Sequence, residues 1–301
     1  MADPAPPTAA DRIKLGTCAW NFDDWKDVFY PAGLASNQQL PYYAQYLPAV
    51  EIDSTFYHIP AVQVVDGWAR KTPDDFVFTA KMPREITHDA RLRDCRPQLD
   101  AFLGSLRPLG EKLGAVLIQF APFFRPEVDE EALSTFLDWL PVGKMRFALE
   151  FRHKEWHVPR VARLLAEHGV TWTWNDLSAL DLQTEAPFDF LPQTGDFLYV
   201  RLMGDLETKF RPDGERKYRY GSLLWSREAG LEFWAQKLAK HLEDSRRIFV
   251  MINNHYEGFS PMTCQRLGRM LGLDIRLPGL ALHAAKPGEV GAERDEQLEL
   301  L

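Results

Sequence analysis

The sequence is most informative first in what it does not contain. Its three cysteines, Cys18, Cys95 and Cys264, are odd in number and far apart, with no CxxC pair. That excludes a disulfide framework and a cysteine-based zinc site, and it fits a reducing cytoplasm. No run reaches the roughly 18 apolar residues of a membrane-crossing helix, and the opening MADPAPPTAADR has no apolar signal-peptide core. Neither GxGxxG nor GxxxxGK[ST] is present, so neither common glycine-rich phosphate turn is offered. An excess of positive charge is also missing. At a net charge of -8 the chain as a whole has no attraction for a phosphate backbone. The basic clusters Lys81, Arg84, Arg91, Arg93, Arg96 and Lys209, Arg211, Arg216, Lys217, Arg219 read first as solvated faces, which leaves nucleic acid open as a partner without favouring it.

What the chain does have is ordinary globular composition, 46% hydrophobic and 26% charged over 301 residues. Eight apolar or alternating runs are bounded by turn signals: IKLGTCAW (13–20), AVEIDSTFY (49–57), FVFTAKMP (76–83), LGAVLIQFAP (113–122), RFALEFRH (146–153), TWTWND (171–176), DFLYVRLMG (196–204) and RIFVMINNH (247–255). Helical patterns separate them, among them LPYYAQYLPA (40–49), VPRVARLLAEHG (158–169) and SPMTCQRLGRMLG (260–272). Strands alternating with helices over this length predict an α/β protein with a single (β/α)8 TIM-like barrel. The rival is a doubly wound open sheet, which would normally carry the glycine-rich turn missing here. The barrel is expected over residues 13–283, with a disordered lead at 1–12 and a flexible tail at 284–301. Two irregularities are expected: a weak sixth helix within 177–195, and a long loop after strand 7, between Gly204 and Leu224, placed to act as a lid.

Active sites of such barrels lie at the C-terminal ends of the strands. Polar residues gather at those ends here: Trp20, Glu51 with Asp53, Lys81, Gln119, Glu150 with Arg152, Asp176, Arg201, and Asn253 with Asn254. So many inward polar groups would lose hydration without benefit unless something binds among them. Glu51 and Glu150 suit acid/base chemistry, with Lys81 as a third catalytic candidate. Arg152 and Arg201 suit a carboxylate or phosphate, and Gln119, Asn253 and Asn254 suit hydroxyls or carbonyls. His88, Tyr57 and Trp156 complete the expected ligand-binding set. Along an extended strand Glu51 and Asp53 would stand about 6.6 Å apart, too far to share a proton. Each residue also has a structural reading as ion pair, cap or core.

Several readings stay open. No cofactor is called for. A divalent metal drawn from Glu51, Asp53, Glu150, Asp176 and the histidines His88, His153, His157 and His255 would make a phosphodiester hydrolase, although no ligand motif is specific. Ser260-Pro261 after Gly258 offers a helix start of the kind that caps a helix or attracts an anion. A non-catalytic barrel that binds a ligand or partner at its mouth is the third alternative to an enzyme.

GTCAWNFDDWKDVFYP, VEIDSTFYHIP, FVFTAKMPREITH, LGAVLIQFAPFF, LEFRHKEW, YVRLMG and INNHYEG resemble, in order, the motifs of the YecE-like family, domain of unknown function 72, over residues 14–272. The resemblance implies a TIM-barrel-like fold and a pocket at the barrel mouth, with no established reaction. It falls on Trp20, Glu51, Tyr57, Lys81, His88, Gln119, Glu150, Arg152, Trp156, Arg201, Asn253 and Asn254, among others. The chain departs from it at three points. GTCAW stands where GTSGW is more usual, Asp53 where asparagine is common, and Met203 where histidine is common.

Overall fold

Each of the eight runs forms a strand: β1 (Ile13–Cys18), β2 (Ala49–Ile52), β3 (Val77–Lys81), β4 (Leu113–Gln119), β5 (Phe147–Glu150), β6 (Thr171–Asn175), β7 (Phe197–Leu202) and β8 (Arg247–Ile252). In the computed structural model they pair in parallel and in sequence order, and β8 pairs with β1 to close the barrel. The structure describes residues 12–176, 190–204, 219–242 and 246–279. Its described helices are α1 (Ser36–Tyr43), α2 (Val62–Arg70), α3 (Arg96–Ser105), α4 (Pro126–Trp139), α5 (Pro159–Glu167), α6 (Glu228–Leu242) and α7 (Ser260–Met270). The fold is therefore a TIM-like α/β barrel. Most of the expected irregular sixth connection, 177–189, lies outside the described residues, as do 205–218 of the loop after β7, the lead through residue 11 and the tail from 280. No helix among the described residues is long and apolar enough to cross a membrane.

Alternation along each strand sorts the side chains into two layers. Outward residues such as Val50, Ile52, Val116, Ile118, Leu149, Val200 and Val250 pack against the helices in one buried cluster. Each fully buried aliphatic side chain of this size stabilises the fold by about 1.5–3 kcal/mol. Inward residues Ala49, Ala115, Leu117, Ala148, Phe197, Tyr199, Phe249 and Met251 fill the barrel itself. Phe197 and Phe249, with ring centroids 5.8 Å apart, close the lower interior, so polar side chains higher on the same strands project towards the other end.

Two elements differ from their sequence pattern. The first helix runs over 36–43 rather than 40–49, because β2 already needs extended backbone at Ala49. The second run stays in a strand only to Ile52, and Asp53–Phe56 form a 3-10 turn. Thr55 holds that turn down by its hydroxyl, which lies 2.7 Å from both the Ile52 and the Lys81 carbonyl oxygens.

The GTC run shows why glycine opens it. A Cβ on Gly16 would lie 2.1 Å from the Ala49 carbonyl oxygen, so β1 and β2 approach this closely only with glycine there. Ala19 ends β1 in the left-handed region at φ 67°, with its N–H donating to the Glu51 carbonyl at 2.9 Å. A Cβ in that region costs about 1–2 kcal/mol, partly offset by the extra freedom glycine has when unfolded. Ala19→Gly is therefore expected to stabilise the protein by about 0.5–1 kcal/mol. Urea unfolding should show a raised midpoint with an unchanged slope, and an unchanged or lowered midpoint would disprove the strain.

Candidate functional site

The floor of the mouth is a buried chain of polar groups built by strand alternation. Tyr199 and Arg201 point inward from β7, Glu51 from β2, Thr79 from β3 and Glu150 from β5, and all five side chains are at most 1% exposed. Arg201 meets Glu51 as a fork, Nη2 to Oε1 at 2.6 Å and Nε to Oε2 at 3.0 Å, and reaches Glu150 Oε2 through Nη1 at 2.6 Å. Arg152, two residues beyond Glu150, donates through Nε to its other oxygen. Tyr199 Oη donates to Glu51 Oε2 at 2.7 Å and lies 2.8 Å from Thr79 Oγ1. A phenol has one hydrogen, so the Thr79 hydroxyl is the donor in the second contact.

This pairing decides which groups can titrate. Burial works to raise both glutamate pKa values, but the surrounding cations win. Arg201 and Tyr199 leave Glu51 lowered, and Arg152 and Arg201 bring Glu150 down to about 2. Both stay ionised as counter-ions of Arg201, whose own protonated state they hold firmly against its desolvation. The acid beside this network that can exchange a proton near neutrality is Asp53. Burial, then the Glu51 charge, pushes its pKa up to about 6. The 3-10 turn is the cause. Instead of standing one strand step above Glu51, the Asp53 carboxylate is folded back so that donor oxygens of the two acids lie within 4.8 Å. The strand-rise expectation of about 6.6 Å is thus corrected by the end of β2. Asp53 Oδ1 is buried without a hydrogen-bond partner.

Above this floor stand the groups with free valence. Lys81, at the end of β3, places Nζ 4.1 Å from the centre of the Phe56 ring. Among the described residues it makes no side-chain hydrogen bond or ion pair. Desolvation lowers its pKa, Arg201 adds to that, and the Asp53 charge opposes it. His88 packs edge-on to Phe56 at 5.0 Å and to Phe123 at 6.3 Å, with Nδ1 2.9 Å from the Thr87 hydroxyl. Burial, then Lys81 and Arg84, lower its pKa to about 4, so it is a neutral imidazole at physiological pH. Arg152 is 13% exposed at its side chain, and among the described residues Nε is its one nitrogen with a hydrogen-bond partner. Gln119 is in register with Glu150, its amide donating to the Phe120 carbonyl at 3.3 Å. Tyr57 is on the rim at 72% exposure, and Trp20 packs edge-on to Trp68 at 5.8 Å.

Four sequence-selected residues serve the scaffold instead. Asp176 is buried and accepts the backbone N–H groups of Met203 and Gly204, fixing the end of β7, while burial pushes its pKa up to about 6. Trp156 is fully buried in an aromatic stack with Phe124 and Phe151 and donates to the Phe124 carbonyl at 2.8 Å. Asn253 accepts from the His255 N–H at 3.1 Å, which shapes the turn after β8. Asn254 accepts from both the N–H and the hydroxyl of Ser260, at 3.0 and 2.8 Å. That contact takes up the Ser260 amide at the start of α7, and the buried carboxylate of Glu257 accepts from Thr263 nearby, which disfavours an anion there. Of the basic clusters, Arg91 and Arg93 pair with the buried Asp129 of α4, not with the mouth.

Tyr199, Thr79 and Cys18 belong to the site and were not selected from sequence. Their signal was the same inward parity, one or two strand positions below the ends: Tyr199 is two before Arg201, and Cys18 is in register with Glu51. Cys18, Glu51 and Asp53 are also the one metal-like group of three donors among the described residues. Their chemistry fits a dication poorly. Both Glu51 oxygens already accept from Arg201 and Tyr199, Arg201 Nη2 is 3.9 Å from Cys18 Sγ, and burial raises the Cys18 thiol well above its usual range. The histidines do not add ligands: His153 pairs with Glu155, and His157 packs on Trp172.

Comparison with known proteins agrees with this architecture. The chain is 27% identical over 283 residues to UPF0759 protein YunF of Bacillus subtilis (strain 168), covering 89% of this chain and 97% of that protein. It is 34% identical over 143 residues to UPF0759 protein YecE of Escherichia coli (strain K12), 48% of this chain and 49% of the other. The crystal structure of a DUF72 family protein from Thermotoga maritima superposes with a TM-score of 0.71 at 29% identity, over 87% of this chain and 99% of that one. One from Enterococcus faecalis shares the fold at 22% identity and a TM-score of 0.70, over 88% and 97%. Residues 14–287 match the family described as "Protein of unknown function DUF72", and the chain belongs to that family.

Proposed function

We propose that this protein is an enzyme acting on a small anionic or polyhydroxylated ligand at the C-terminal mouth of the barrel. The observation that carries the reading is the split between spent and unspent charge. Glu51, Arg201 and Glu150 satisfy one another below, whereas among the described residues Lys81 and the terminal nitrogens of Arg152 have no carboxylate hydrogen-bonded to them. Cationic groups left unpaired in a partly desolvated cleft bind an anion more strongly than the same groups in water. Arg152 would fork a carboxylate or phosphate and Gln119 would orient a neighbouring oxygen. Asp53 would exchange the proton, because its pKa of about 6 lies close to working pH. The paired glutamates would hold Arg201 and the local field fixed, with little reorganisation during a reaction.

The test is a thermal-shift screen of phosphorylated, carboxylated and polyhydroxylated metabolites, together with native mass spectrometry of the purified protein. A ligand of one of these classes is expected to raise the melting temperature, and Arg152→Ala to weaken its binding about tenfold, the loss of one charge-assisted contact. Equal binding by the parent and by an Arg152→Ala/Lys81→Met variant would remove the mouth as the site.

A further inference from the structure

We propose that Lys81 is a carbonyl-trapping amine, whose Nζ condenses with an aldehyde or ketone carbon of an anion-bearing substrate to give a covalent iminium. The inference rests on the functional reading above and specifies the substrate class for the same site. Lysines become nucleophilic when they are desolvated or placed beside another cation, because both disfavour the ammonium form. Lys81 is desolvated and lies near the Arg201 cation, while the charges of Asp53, Glu51 and Glu150 act in the opposite sense and leave burial as the deciding effect. Its amine is pressed on the Phe56 ring at 4.1 Å and has no ion-pair partner among the described residues. Arg201, fixed beneath by two carboxylates, acts on it as a like charge. Desolvation does lower its pKa, in the direction that frees the lone pair.

The neighbours supply what the condensation requires. The Nζ lone pair attacks the carbonyl carbon, a C–N bond forms, and the C=O π pair moves to oxygen. Transfer of one proton from nitrogen to that oxygen gives a neutral carbinolamine. Asp53, the strongest opposite charge acting on Lys81, then donates its proton to the hydroxyl, which leaves as water as the nitrogen lone pair forms the C=N bond. The products are a protonated iminium, one water and the Asp53 carboxylate, so atoms and charge balance and nothing is oxidised or reduced. The carboxylate left on Asp53 lies beside the new cation. Arg152, whose terminal nitrogens have no partner among the described residues, would hold the substrate's anionic group. The iminium is an electron sink, which directs the following chemistry to the α-carbon of the former carbonyl compound.

The experiment is reductive trapping. The purified full chain is incubated with pyruvate, dihydroxyacetone phosphate or glycolaldehyde plus cyanoborohydride, and adducts are located by intact-mass and peptide mass spectrometry. Lys81 is expected to be labelled at least tenfold faster than any other lysine by one of these probes. Lys81→Met and Lys81→Arg, checked for folding by circular dichroism, should lose that adduct. Labelling spread over other lysines, with Lys81 unmodified, overturns the inference. D-Lactate and glycerol 3-phosphate, which lack a carbonyl, are tested in parallel by thermal shift on the parent and on Arg152→Ala. If they stabilise the parent alone while no Lys81 adduct forms, the iminium fails and anion binding at the mouth stands. If neither labelling nor stabilisation occurs, both readings fail.

Discussion

Arg201→Ala is expected to lower the stability of the folded barrel by about 3–5 kcal/mol, because it leaves the carboxylates of Glu51 and Glu150 buried without their shared cation. For a domain of this size that corresponds to a fall in melting temperature of roughly 6–20 °C. The effect comes from uncompensated charge rather than from lost attraction. An isolated buried ion is far more costly than a neutral group of the same shape. Arg201→Met combined with Glu51→Gln and Glu150→Gln should therefore recover much of the loss, although it removes every bond of the ion pairs. Calorimetry or urea unfolding of the single and triple variants gives the comparison. A triple variant no more stable than Arg201→Ala would show that the network stabilises by its attraction. The same pairing sets a pH limit. The folded Glu150 pKa, about 2, is below its ordinary value of 4.5, so its contribution is present above that ordinary value and is lost as pH falls towards 2.

Asp53→Asn is expected to change stability in the opposite direction, and only at the higher pH. The folded pKa of Asp53 is raised, from 3.8 to about 6, so the native state holds its proton more tightly than the unfolded chain does. Its proton linkage therefore favours folding most below pH 4, and that advantage is lost as pH rises from about 4 to about 6. A rise of this size corresponds to about 3 kcal/mol, so the asparagine variant should be about 2–3 kcal/mol more stable than the parent at pH 8. The two should be nearly equal at pH 3.5. Asp176, whose pKa is also raised to about 6, is present in both proteins, so the difference between them isolates Asp53. Urea unfolding at pH 3.5 and pH 8 is the measurement, and a pH-independent difference would mean that Asp53 is not the titrating group. Asparagine suits the position sterically and is common there in the resembling family, which makes the variant well suited to folding. A stabilising substitution at this residue would also mark Asp53 as a group kept at the expense of stability, as active-site groups often are.

The barrel was legible because its signal is local and repeated. Eight strands could be found from apolar or alternating runs such as LGAVLIQFAP and FLYVRLMG, and their closure follows from length and order. The polar strand ends were legible for the same reason, since parity along a strand tells which residues point inward. The roles within the mouth were less so. Arg201 looks from the sequence like an anion receptor, and only the convergence of β2, β5 and β7 shows that two glutamates already occupy it. Asn254 and Trp156 share motifs with residues of the mouth yet are held by local partners, Ser260 and Phe124, because both lie in turns beyond the strand ends, where strand parity no longer gives direction. Tyr199 carries no signal in the sequence beyond its inward parity, since an aromatic within a strand is usually core and its hydroxyl acquires a partner only from strands far away in sequence.

By itself the sequence determined the fold class, the end of the barrel that carries the polar groups, and the identity of most of those groups. Only the tertiary structure decided which charges cancel and which remain available. Ionisation depends on burial and on neighbours a few ångströms away, and in a closed barrel those neighbours come from strands far apart in sequence, 150 residues for Glu51 and Arg201. Glu51 and Asp53 show the difference. Two positions apart in the sequence and alike in charge, they separate into a fixed counter-ion and a titratable acid because β2 ends between them and the chain turns.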